Sequence, residues 1–361
     1  MPPARPFCPP AARALALVGA GLAALALAVP ARAEVVCARY ASPSGSDANP
    51  GTQSAPYLSA QRLVDALAPG QAGCLAGGQT YSGTVRFNRG GAPGAPITLT
   101  SAPGTGRATV RGLVYVPDGS DDVVISGLLL NGAGAGRVSP SINGDRVVIS
   151  DNEITNDHTG ICLHLGSNTG YGVAEDVVVE RNRIYRCGRL PATNHDHGIY
   201  VNSTRNARIV NNFIYDNADF GVHLYPNAQG TYVAHNVIDG NGEGITFSGG
   251  EAQGYVSNDN LVINNIITNS TIRWNIESWW QDGVGVGNRA EANCVWNGRR
   301  GNIAPQVGFT AANNIVADPL YVDRAAKDFR LRPGSPCAGK GPLEGPVGPA
   351  PPPSSGAPPA A

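Results

Sequence analysis

Short stretches of alternating apolar and polar residues follow one another along most of this chain. One pattern, apolar-x-x-Asn-x-apolar, recurs clearly as ISDNEI (149–154), VERNRI (179–184), IVNNFI (209–214), VAHNVI (233–238) and VINNII (262–267). Alternation with a period of two, bounded by Gly, Asn or Asp, is typical of short β-strands. The one stretch with good helical spacing is LSAQRLVDAL (58–67). The pattern therefore predicts an all-β chain with a single short helix.

A second motif, Gly-apolar-x-apolar, lies between copies of the first. Its copies are GICL (160–163), GIYV (198–201), GVHL (221–224), GITF (244–247) and GVGV (283–286). The two motifs together form a repeat of roughly 20–30 residues, and strands this short bury a core only when successive repeats stack on one another. Leucine-rich repeats have a similar length, but their leucine pattern is missing here. The repeats therefore predict a solenoid of stacked coils.

These motifs resemble those of the right-handed parallel β-helix proteins of the pectate-lyase-like superfamily, over residues 97–316. The stretch YASPSGSDANPGTQSAPYLSAQRLVDALAPG (40–70) also looks like the N-terminal cap of this group, and ADPLYVDRAAKDFRLRPGSPCAG (317–339) is similar to its closing segment. The resemblance implies a right-handed parallel β-helix domain at 34–341, with an N-terminal cap whose helix closes the coil (34–96), coils (97–316) and a C-terminal cap (317–341). The superfamily contains lyases, hydrolases, epimerases and proteins without known activity, so the resemblance predicts the fold rather than a reaction.

The two ends of the chain have compositions that set them apart from this domain. Residues 1–33 combine a basic start, an apolar run and the small residues Ala31 and Ala33, which predict a secretory signal peptide cleaved before Glu34. Residues 342–361 are a mixture dominated by Pro, Ala, Ser and Gly, which predicts a disordered tail. We therefore expect an exported protein.

Six cysteines follow the predicted leader, and an even number in an exported chain favours disulfides over metal sites. Six cysteines allow 15 pairings, and our choice is the one that follows chain order: Cys37–Cys74, Cys162–Cys187 and Cys294–Cys337. The formal charge of −1 gives no electrostatic reason to expect nucleic acid as a partner. We expect a monomer without a membrane span.

The recurrent asparagines have a structural explanation. Where the chain bends between two strands, stacked Asn side chains can hydrogen-bond to one another and to the turn backbone, and Asn tolerates left-handed conformations. We therefore expect a structural role, and no binding site, for Asn152, Asn182, Asn212, Asn236 and Asn265.

The Gly-apolar-x-apolar motif also predicts a register between coils. Equivalent residues on adjacent coils should lie about 4.8 Å apart, with the two apolar residues of each motif in the core and their neighbours facing outward. The first outward column is then Cys162, Tyr200, His223, Thr246 and Gly285, and the second is His164, Asn202, Tyr225, Ser248 and Gly287. The residues just before each glycine are Thr159, His197, Phe220, Glu243 and Asp282, preceded by His158, Asp196, Asp219, Gly242 and Gln281.

Five of the six histidines fall on this outer wall, which we call the histidine ribbon. It contains His158, His164, His195, His197 and His223, together with Asp196, Asp219, Tyr200, Tyr225 and Glu243. Outward positions of any solenoid must be polar, and some stacking of histidine on aspartate arises by chance. Ser, Thr, Asn or Lys would meet that need equally well, so the concentration of histidine favours a functional surface.

The resemblance also implies a chemistry, because related β-helix enzymes mostly act on acidic polysaccharides by β-elimination. That reaction needs a base for the proton α to a uronate carboxylate and a group that stabilises the enolate-like intermediate. Many of these enzymes use a lysine base, but the only two lysines of this chain lie near its C-terminal end. We therefore predict His197 or His223 as the base, since an imidazole titrates near pH 6.5 without burial, and Tyr200 or Tyr225 as the acid.

Further residues of the ribbon are assigned to metal and substrate. Asp196, Asp219 and Glu243, one coil apart in succession, would hold a calcium ion that neutralises the substrate carboxylate. The tryptophans of RWNIESWWQDG (273–283) either wall a substrate cleft or cover the core beneath a long loop. Substrate contacts are predicted for His158, His164, Asn202, Arg205, Trp279 and Trp280.

Two other functions stay open at the level of sequence. Carboxylates on adjacent coils would lie about 5 Å apart, within the range of a retaining glycosidase pair, and carboxylates two coils apart would lie about 10 Å apart, near the limit of an inverting pair. A glycoside hydrolase in which Asp196 acts with Asp219 or Glu243 is therefore the second hypothesis. The third is a non-catalytic exported protein that binds glycans or coats a surface with its solenoid wall.

Overall fold

The structure is a computed structural model of the chain, and it describes residues 35–250 and 254–343. The predicted signal peptide (1–33) lies outside the described residues, as does nearly all of the predicted tail (342–361). The described residues form three long parallel sheets, one antiparallel hairpin and one helix. Within these two ranges the helical structure is too short to cross a membrane.

The strands are numbered in chain order, and the three sheets receive strands from successive coils. The first sheet contains β1 (Cys37–Ala41), β2 (Ala72–Leu75), β5 (Ile97–Ser101), β8 (Val123–Ser126), β11 (Val148–Ser150), β15 (Val178–Glu180), β18 (Arg208–Val210), β21 (Tyr232–Ala234), β24 (Leu261–Ile263), β27 (Asn288–Glu291) and β30 (Phe309–Ala312). The second sheet contains β3 (Thr80–Ser82), β6 (Thr109–Arg111), β9 (Leu129–Asn131), β12 (Glu153–Thr155), β16 (Arg183–Tyr185), β19 (Phe213–Tyr215), β22 (Val237–Asp239), β25 (Ile266–Thr268), β28 (Cys294–Trp296) and β31 (Ile315–Val316). The third sheet contains β4 (Val85–Arg86), β7 (Val114–Val116), β10 (Ser141–Ile142), β13 (Leu163–Leu165), β14 (Ala174–Glu175), β17 (His197–Arg205), β20 (Phe220–Gln229), β23 (Glu243–Gly249), β26 (Trp274–Trp280) and β29 (Gly301–Ile303). The helix is α1 (Ala60–Asp65), and the hairpin consists of β32 (Tyr321–Asp323) and β33 (Asp328–Leu331).

Each coil lies directly over the next, in the manner of a parallel β-helix. For example, β18, β19 and β20 of one coil pair in parallel with β21, β22 and β23 of the next. The only antiparallel pairing between strands of the described residues is that of β32 with β33. The chain is therefore an all-β parallel solenoid of about nine turns with very little helix, as the repeats predict.

Apolar residues fill the inside of the coils in straight rows. In the first sheet Ile149 is paired with Ile125 on one side and with Val179 on the other, and Ile209 follows. All four side chains are fully buried. Burying a side chain of this size stabilises a fold by about 1.5–3 kcal/mol, so the alternating pattern places its apolar residues where they contribute most.

A ladder of asparagines runs along the bend between the first and second sheets. Oδ1 of Asn212 accepts hydrogen bonds from the backbone N–H and the side-chain amide of Asn182, at 2.9 and 3.0 Å, and its own amide donates to Oδ1 of Asn236 at 2.9 Å. The same contacts link the whole series Asn152, Asn182, Asn212, Asn236, Asn265, Asn293 and Asn314. The predicted structural role of these asparagines is confirmed.

The left-handed position of this bend is the residue before each asparagine rather than the asparagine itself. Asp151, Arg181, Asn211 and His235 have φ values of 58°, 54°, 58° and 56°. The expectation that Asn is present because it tolerates this conformation is therefore wrong. Asn is needed for its amide, and the hydrogen bonds of the ladder offset the strain at the residue before it.

The N-terminal segment contains the predicted helix and also contributes strands. Oγ of Ser59 accepts a hydrogen bond from the N–H of Arg62 at 3.1 Å and so caps α1, whose Leu63 is fully buried. That α1 closes the first coil stays a prediction. Because β1 to β4 already belong to the three sheets, stacking begins within the segment that the resemblance assigns to the cap.

Disulfides and the terminal hairpin join the coils to their neighbours. The disulfides are Cys37–Cys74, Cys162–Cys187 and Cys294–Cys337, the pairing that follows chain order. Phe329 of the hairpin packs on Phe213 of the second sheet. The two lysines of the chain also bind the coils: Lys327 of the hairpin pairs with Asp216, and Lys340, which follows the hairpin, donates to Asn264.

Candidate active site

Four long strands of the third sheet carry the candidate site. β17, β20, β23 and β26 contain 9, 10, 7 and 7 residues, whereas most strands of the other two sheets contain three. Glycine near the start of three of these strands allows close approach between coils. A Cβ on Gly244 would lie 2.2 Å from the backbone oxygen of Asn275, so the glycine of the repeated motif is required by packing beneath the site.

The outward columns of these strands agree with the predicted register only in the middle. One column consists of His164, Tyr200, His223, Thr246 and Glu277. A second consists of His197, Phe220 and Glu243, as predicted. Cys162, predicted in the first column, is instead fully buried in a disulfide, and His164 takes its place beside Tyr200. The pairing predicted between His164 and Asn202 is therefore wrong.

The predicted strand GVGV (283–286) is wrong. The strand on that coil is β26, in which Ile276 pairs with Ile245 and Glu277 with Thr246. The predicted positions of Gln281, Asp282, Gly285 and Gly287 on the ribbon are therefore also wrong. The tryptophan segment is a strand of the site rather than a long loop, and it brings Glu277 onto the wall.

A cavity of about 340 Å³ lies over these strands. It is lined by Asn194, His195, His197, Tyr200, Phe220, His223, Tyr225, Glu243, Thr246, Arg273 and Trp279. This volume is within the range of small-molecule sites. Most of the lining residues belong to the predicted ribbon, so stacking of the coils does bring that part of the ribbon together.

His197 and His223 lie side by side at the base of this cavity and are bonded to one another. Nε2 of His197 is 2.8 Å from Nδ1 of His223, and Nε2 of His223 is 2.6 Å from Oγ of Ser248. The His197 ring also stacks on Tyr200 and Phe220, with centroids 4.3 and 4.9 Å apart. The other nitrogen of His197, Nδ1, is buried without a hydrogen-bond partner among the described residues. In one arrangement of protons, Nε2 of His197 donates to His223 and Nε2 of His223 donates to Ser248. Nδ1 of His197 then carries a lone pair that accepts no hydrogen bond from the described residues.

Burial keeps these imidazoles neutral. Burial and the charge of Arg273 lower the pKa of His223 to about 3, and burial followed by the charge of His223 holds the pKa of His197 well below its usual value. Burial also lowers the pKa of His164 to about 4. The expectation of imidazoles that titrate near pH 6.5 on an open wall is therefore wrong. Stacked rings on neighbouring coils exclude water from one another, which disfavours the charged form.

These lowered pKa values predict a loss of stability in acid. Between pH 6.5 and about 3 an unfolded chain binds a proton on His223 that the folded chain does not, so stability falls as the pH drops through this window. The contribution of one such group is roughly 1.4 kcal/mol per pH unit. We expect the free energy of unfolding of His223→Asn, measured by denaturant titration at pH 6.5 and 4.5, to fall less on acidification than that of the unmodified protein. Equal falls would contradict the neutral buried state of His223.

Glu243 and Arg273 also line the cavity and form a cluster with the buried Glu277. Arg273 donates to Oε2 of Glu277 from Nη2 at 2.7 Å and from Nε at 3.1 Å, and its Nε lies 3.5 Å from Oε1 of Glu243. Burial, then the hydrogen bond and charge of Glu277, raise the pKa of Glu243 to about 9. Two adjacent buried carboxylates cannot both ionise cheaply, so Glu243 carries a proton at neutral pH, while Arg273 donates its hydrogen bonds to Glu277.

Three aromatic side chains form a wall of the cavity. The rings of Tyr200 and Tyr225 lie nearly parallel with centroids 6.2 Å apart, and the Trp279 indole meets Tyr225 edge-on at 6.5 Å. Trp279 is 40% exposed. Rings of this kind offer an apolar face together with a polar edge, so this wall is suited to a ligand that has both.

The two predicted ribbon aspartates do not line the cavity. Asp196 accepts hydrogen bonds from the Arg189 guanidinium and backbone N–H at 2.8 Å, and these hold its pKa below the usual value although burial opposes them. Asp219 accepts from the backbone N–H groups of His195 and Asp196 at 3.1 Å. Both carboxylates therefore order the chain between the second and third sheets. The predicted pairing of Asp196 with Asp219 or Glu243 as hydrolytic acids has no geometry to support it.

Three predicted substrate contacts also lie outside the cavity. Nδ1 of His158 lies 2.9 Å from the backbone oxygen of Gly188 in a turn. Arg205 ends β17 and pairs with Glu175, and Nε1 of Trp280 donates to the backbone oxygen of Val307 at 2.8 Å. His158, Arg205 and Trp280 therefore do not join the other predicted substrate contacts at this cavity.

His164 and Asn202 line a neighbouring cavity of about 240 Å³, with Tyr115 and Arg137 among its other lining residues. Oδ1 of Asn202 accepts a hydrogen bond from the backbone N–H of Asn168 at 3.1 Å. The His164 ring lies 5.1 Å from the Tyr200 ring, so the two cavities follow one another along the third sheet.

The carboxylates predicted to bind calcium do not form a metal site. The described part of the chain contains no group of three or more His, Cys, Asp and Glu side chains arranged to hold a metal ion. Asp196 and Asp219 face Arg189 and backbone N–H groups, and Glu243 accepts a hydrogen bond from Thr246, lies beside Arg273 and has its pKa raised by burial. Calcium needs several ionised or carbonyl oxygens around one point, so this donor set does not fit it.

Arg273 and Glu277 are the site residues that sequence reasoning missed. Both belong to the RWNIESWWQDG stretch, which was interpreted through its tryptophans alone. The signal was available in WNIESWW (274–280), where Ile276 and Ser278 alternate with Asn275, Glu277 and Trp279 as in a strand. Aligning Ile276 with Ile245 places Glu277 beside Thr246.

Comparisons with known proteins agree with this architecture. Residues 110–265 match the family model described as a right-handed β-helix region. No curated protein is significantly similar in sequence. Among solved structures, the pectate lyase Pel9A is 17% identical, with a TM-score of 0.54 and coverage of 84% of this chain and 91% of its own. XylC in complex with xylose is 12% identical, with a TM-score of 0.49 and coverage of 74% and 69%. The lacto-N-biosidase of family GH136 from Eubacterium ramulus is 16% identical, with a TM-score of 0.47 and coverage of 76% and 63%.

At these identities, the likeness to Pel9A establishes the fold alone. Together with the family match over residues 110–265 and the stacked parallel sheets, it shows that this chain has the right-handed parallel β-helix fold.

Proposed function

We propose that this protein acts on a polysaccharide and cleaves a uronic-acid-containing chain by β-elimination. The observation that carries the proposal is one cavity that contains a neutral imidazole pair, two tyrosines, an arginine and an aromatic wall. The shared fold with a pectate lyase supports a glycan as substrate by analogy.

His197 is the base in this proposal. β-Elimination begins when a base removes the proton α to the uronate carboxylate, and negative charge then develops on that carboxyl group. Nδ1 of His197 has no partner among the described residues and belongs to a cavity-lining ring. At rest the lowered pKa makes this imidazole a weak base, but an anionic sugar next to it favours the protonated form and raises that pKa.

His223 and Ser248 would fix the orientation of His197. Because His223 is bonded through both ring nitrogens, it acts on the base rather than on the substrate. The sequence alone does not distinguish the two histidines as candidate bases, whereas these contacts favour His197.

Tyr200 or Tyr225 is the acid that protonates the leaving glycosidic oxygen. Both rings line the same cavity as His197, and a phenol can donate a proton at neutral pH. Trp279 completes the wall on which the apolar face of a sugar would stack.

The test is a substrate panel assayed for two products. Purified protein is incubated with several uronans and neutral glycans, and unsaturated sugar ends are followed by ultraviolet absorbance while reducing ends are counted separately. We expect new absorbance and reducing ends together with at least one uronan. Reducing ends without absorbance would contradict elimination, and binding without either product would contradict catalysis.

Hydrolysis is the second candidate, for a specific reason. Glu243 is protonated at neutral pH, as a general acid must be. The neighbouring carboxylate of Glu277, however, accepts hydrogen bonds from Arg273 and is not among the residues that line the cavity, so it is poorly placed to act as the nucleophile of a retaining pair. Hydrolysis therefore ranks below elimination.

We also propose that the protein is exported and works as a monomer. Three disulfides support export, since such bonds persist in oxidising compartments. Uronans are polymers too large to enter a cell intact, so the proposed substrate and the proposed location agree.

A further inference from the structure

A guanidinium at the edge of the cavity has unused hydrogen-bond donors. Nε and Nη2 of Arg273 bind Glu277, but Nη1 donates to no group among the described residues. Its side chain is 27% exposed and lines the cavity beside Glu243. Arginine presents its N–H groups as a planar fork that matches a carboxylate, so the free edge of Arg273 is chemically suited to an acidic ligand.

The acid pair holds Arg273 in place without cancelling its attraction for an anion. The side chains of Glu243 and Glu277 are 3% and 2% exposed. Two ionised carboxylates would give this cluster a net negative charge and repel an acidic sugar. With one proton shared between them the cluster is neutral, and the exposed edge of the guanidinium remains its positive end.

Two buried polar atoms of the site have no hydrogen-bond partner among the described residues. They are Oε1 of Glu277 and Nδ1 of His197, in residues that are 2% and 5% exposed. Buried polar atoms are almost always hydrogen-bonded, and exceptions need a reason. A proton on Glu243 supplies the donor for Glu277, and a ligand in the cavity would supply the partner for His197, which lines it.

We propose that Arg273 binds the carboxylate of an acidic sugar, that Glu243 and Glu277 hold its guanidinium in position, and that no metal ion takes part. This inference rests on the proposed action on uronic-acid glycans. The sequence analysis assigned the neutralisation of the substrate carboxylate to calcium. In this proposal Arg273, the residue directly before β26, takes that role. The charge that develops on the carboxyl group during elimination would then be stabilised by a fixed guanidinium.

The experiment measures binding in the presence of EDTA. Oligomers of galacturonate, of mannuronate and of guluronate are each compared with the same oligomer after chemical reduction of its carboxyl groups. We expect at least one uronate oligomer to bind the unmodified protein about tenfold or more tightly than its reduced form. Arg273→Gln should weaken uronate binding about 10- to 100-fold, the loss of a charge-assisted hydrogen bond, and leave binding of the reduced form unchanged.

Matched variants separate this role from a structural one. Arg205→Gln removes an arginine that pairs with a glutamate on the same sheet but outside the cavity, and it should leave binding unchanged. Glu243→Gln mimics the protonated acid and should bind uronate within about threefold of the unmodified protein. Because Arg273→Gln leaves Glu277 without its ion pair, the same change is also made with Glu277→Gln, and folding of each variant is checked by circular dichroism.

Failure of this inference is distinct from failure of the proposed function. If Arg273→Gln binds uronate as well as the unmodified protein, or if EDTA abolishes binding, the metal-free receptor is wrong although cleavage of uronans could still be observed. If no uronate oligomer binds but a neutral glycan is cleaved, both the receptor and β-elimination of a uronan are wrong, and only the action on a polysaccharide stands.

Discussion

Replacing Asn212 by alanine is expected to lower the free energy of unfolding by about 3–5 kcal/mol. Its side chain accepts two hydrogen bonds from Asn182 and donates to Asn236 and to the backbone oxygens of Val179 and Val210. Because Asn212 is fully buried, water cannot replace these partners, and each orphaned group costs about 1–3 kcal/mol. Equilibrium unfolding in denaturant measures the difference.

An exposed asparagine provides the control for this prediction. Asn88 donates to Asp65 and accepts from Arg86 on the surface of the chain. Asn88→Ala should change the free energy of unfolding by no more than about 0.5 kcal/mol. Similar losses for the two variants would mean that the asparagine ladder adds nothing to the stability of the coils.

The same ladder explains why the fold could be predicted from sequence. A coil that stacks on its neighbour must satisfy the same backbone groups at the same bend on every turn, so Asn recurs there and marks the repeat. The residue before it only has to adopt a left-handed backbone, which Asp151, Arg181 and His235 all do. The recurring asparagine is therefore visible in the sequence, whereas the left-handed conformation of the residue before it is not.

The register of the site could be predicted only in part. The motif Gly-apolar-x-apolar identifies β17, β20 and β23, because close packing at Gly244 and its equivalents demands glycine. Before and after these strands the coils differ in length. GICL contains a cysteine that is committed to a disulfide, and β26 begins without the glycine motif. Motif matching therefore misplaced Cys162 and missed Glu277.

The electrostatic state of the site could not be predicted from sequence at all. Alternation implies that His197, His223 and Glu243 face outward from the core, and they do. The rings of neighbouring coils then cover one another, so side chains that point away from the core are still buried. Burial is what keeps the histidines neutral and Glu243 protonated. This environment arises between coils that are distant in sequence.

Replacing His197 by asparagine is expected to lower kcat on the preferred uronan by about 100- to 10,000-fold, the contribution of a general base. Asparagine keeps a polar planar group in the stack between Tyr200 and Phe220 but cannot take up a proton, so KM should change only a few-fold. The rate of appearance of unsaturated ends, measured over a range of substrate concentrations, separates the two constants.

His158→Asn is the matched control, because it makes the same change in a histidine that lies outside the cavity. His158 has φ of 61°, a conformation that asparagine tolerates, so this variant should fold and turn over normally. If His197→Asn keeps normal turnover, the base must be another group that lines the cavity, and the tyrosines are then the next to test. If both variants lose activity equally, the loss comes from the fold rather than from proton transfer. A loss of kcat in His197→Asn but not in His158→Asn, with KM nearly unchanged, supports His197 as the base. Its ring is then oriented by the hydrogen bonds that connect it through His223 to Ser248.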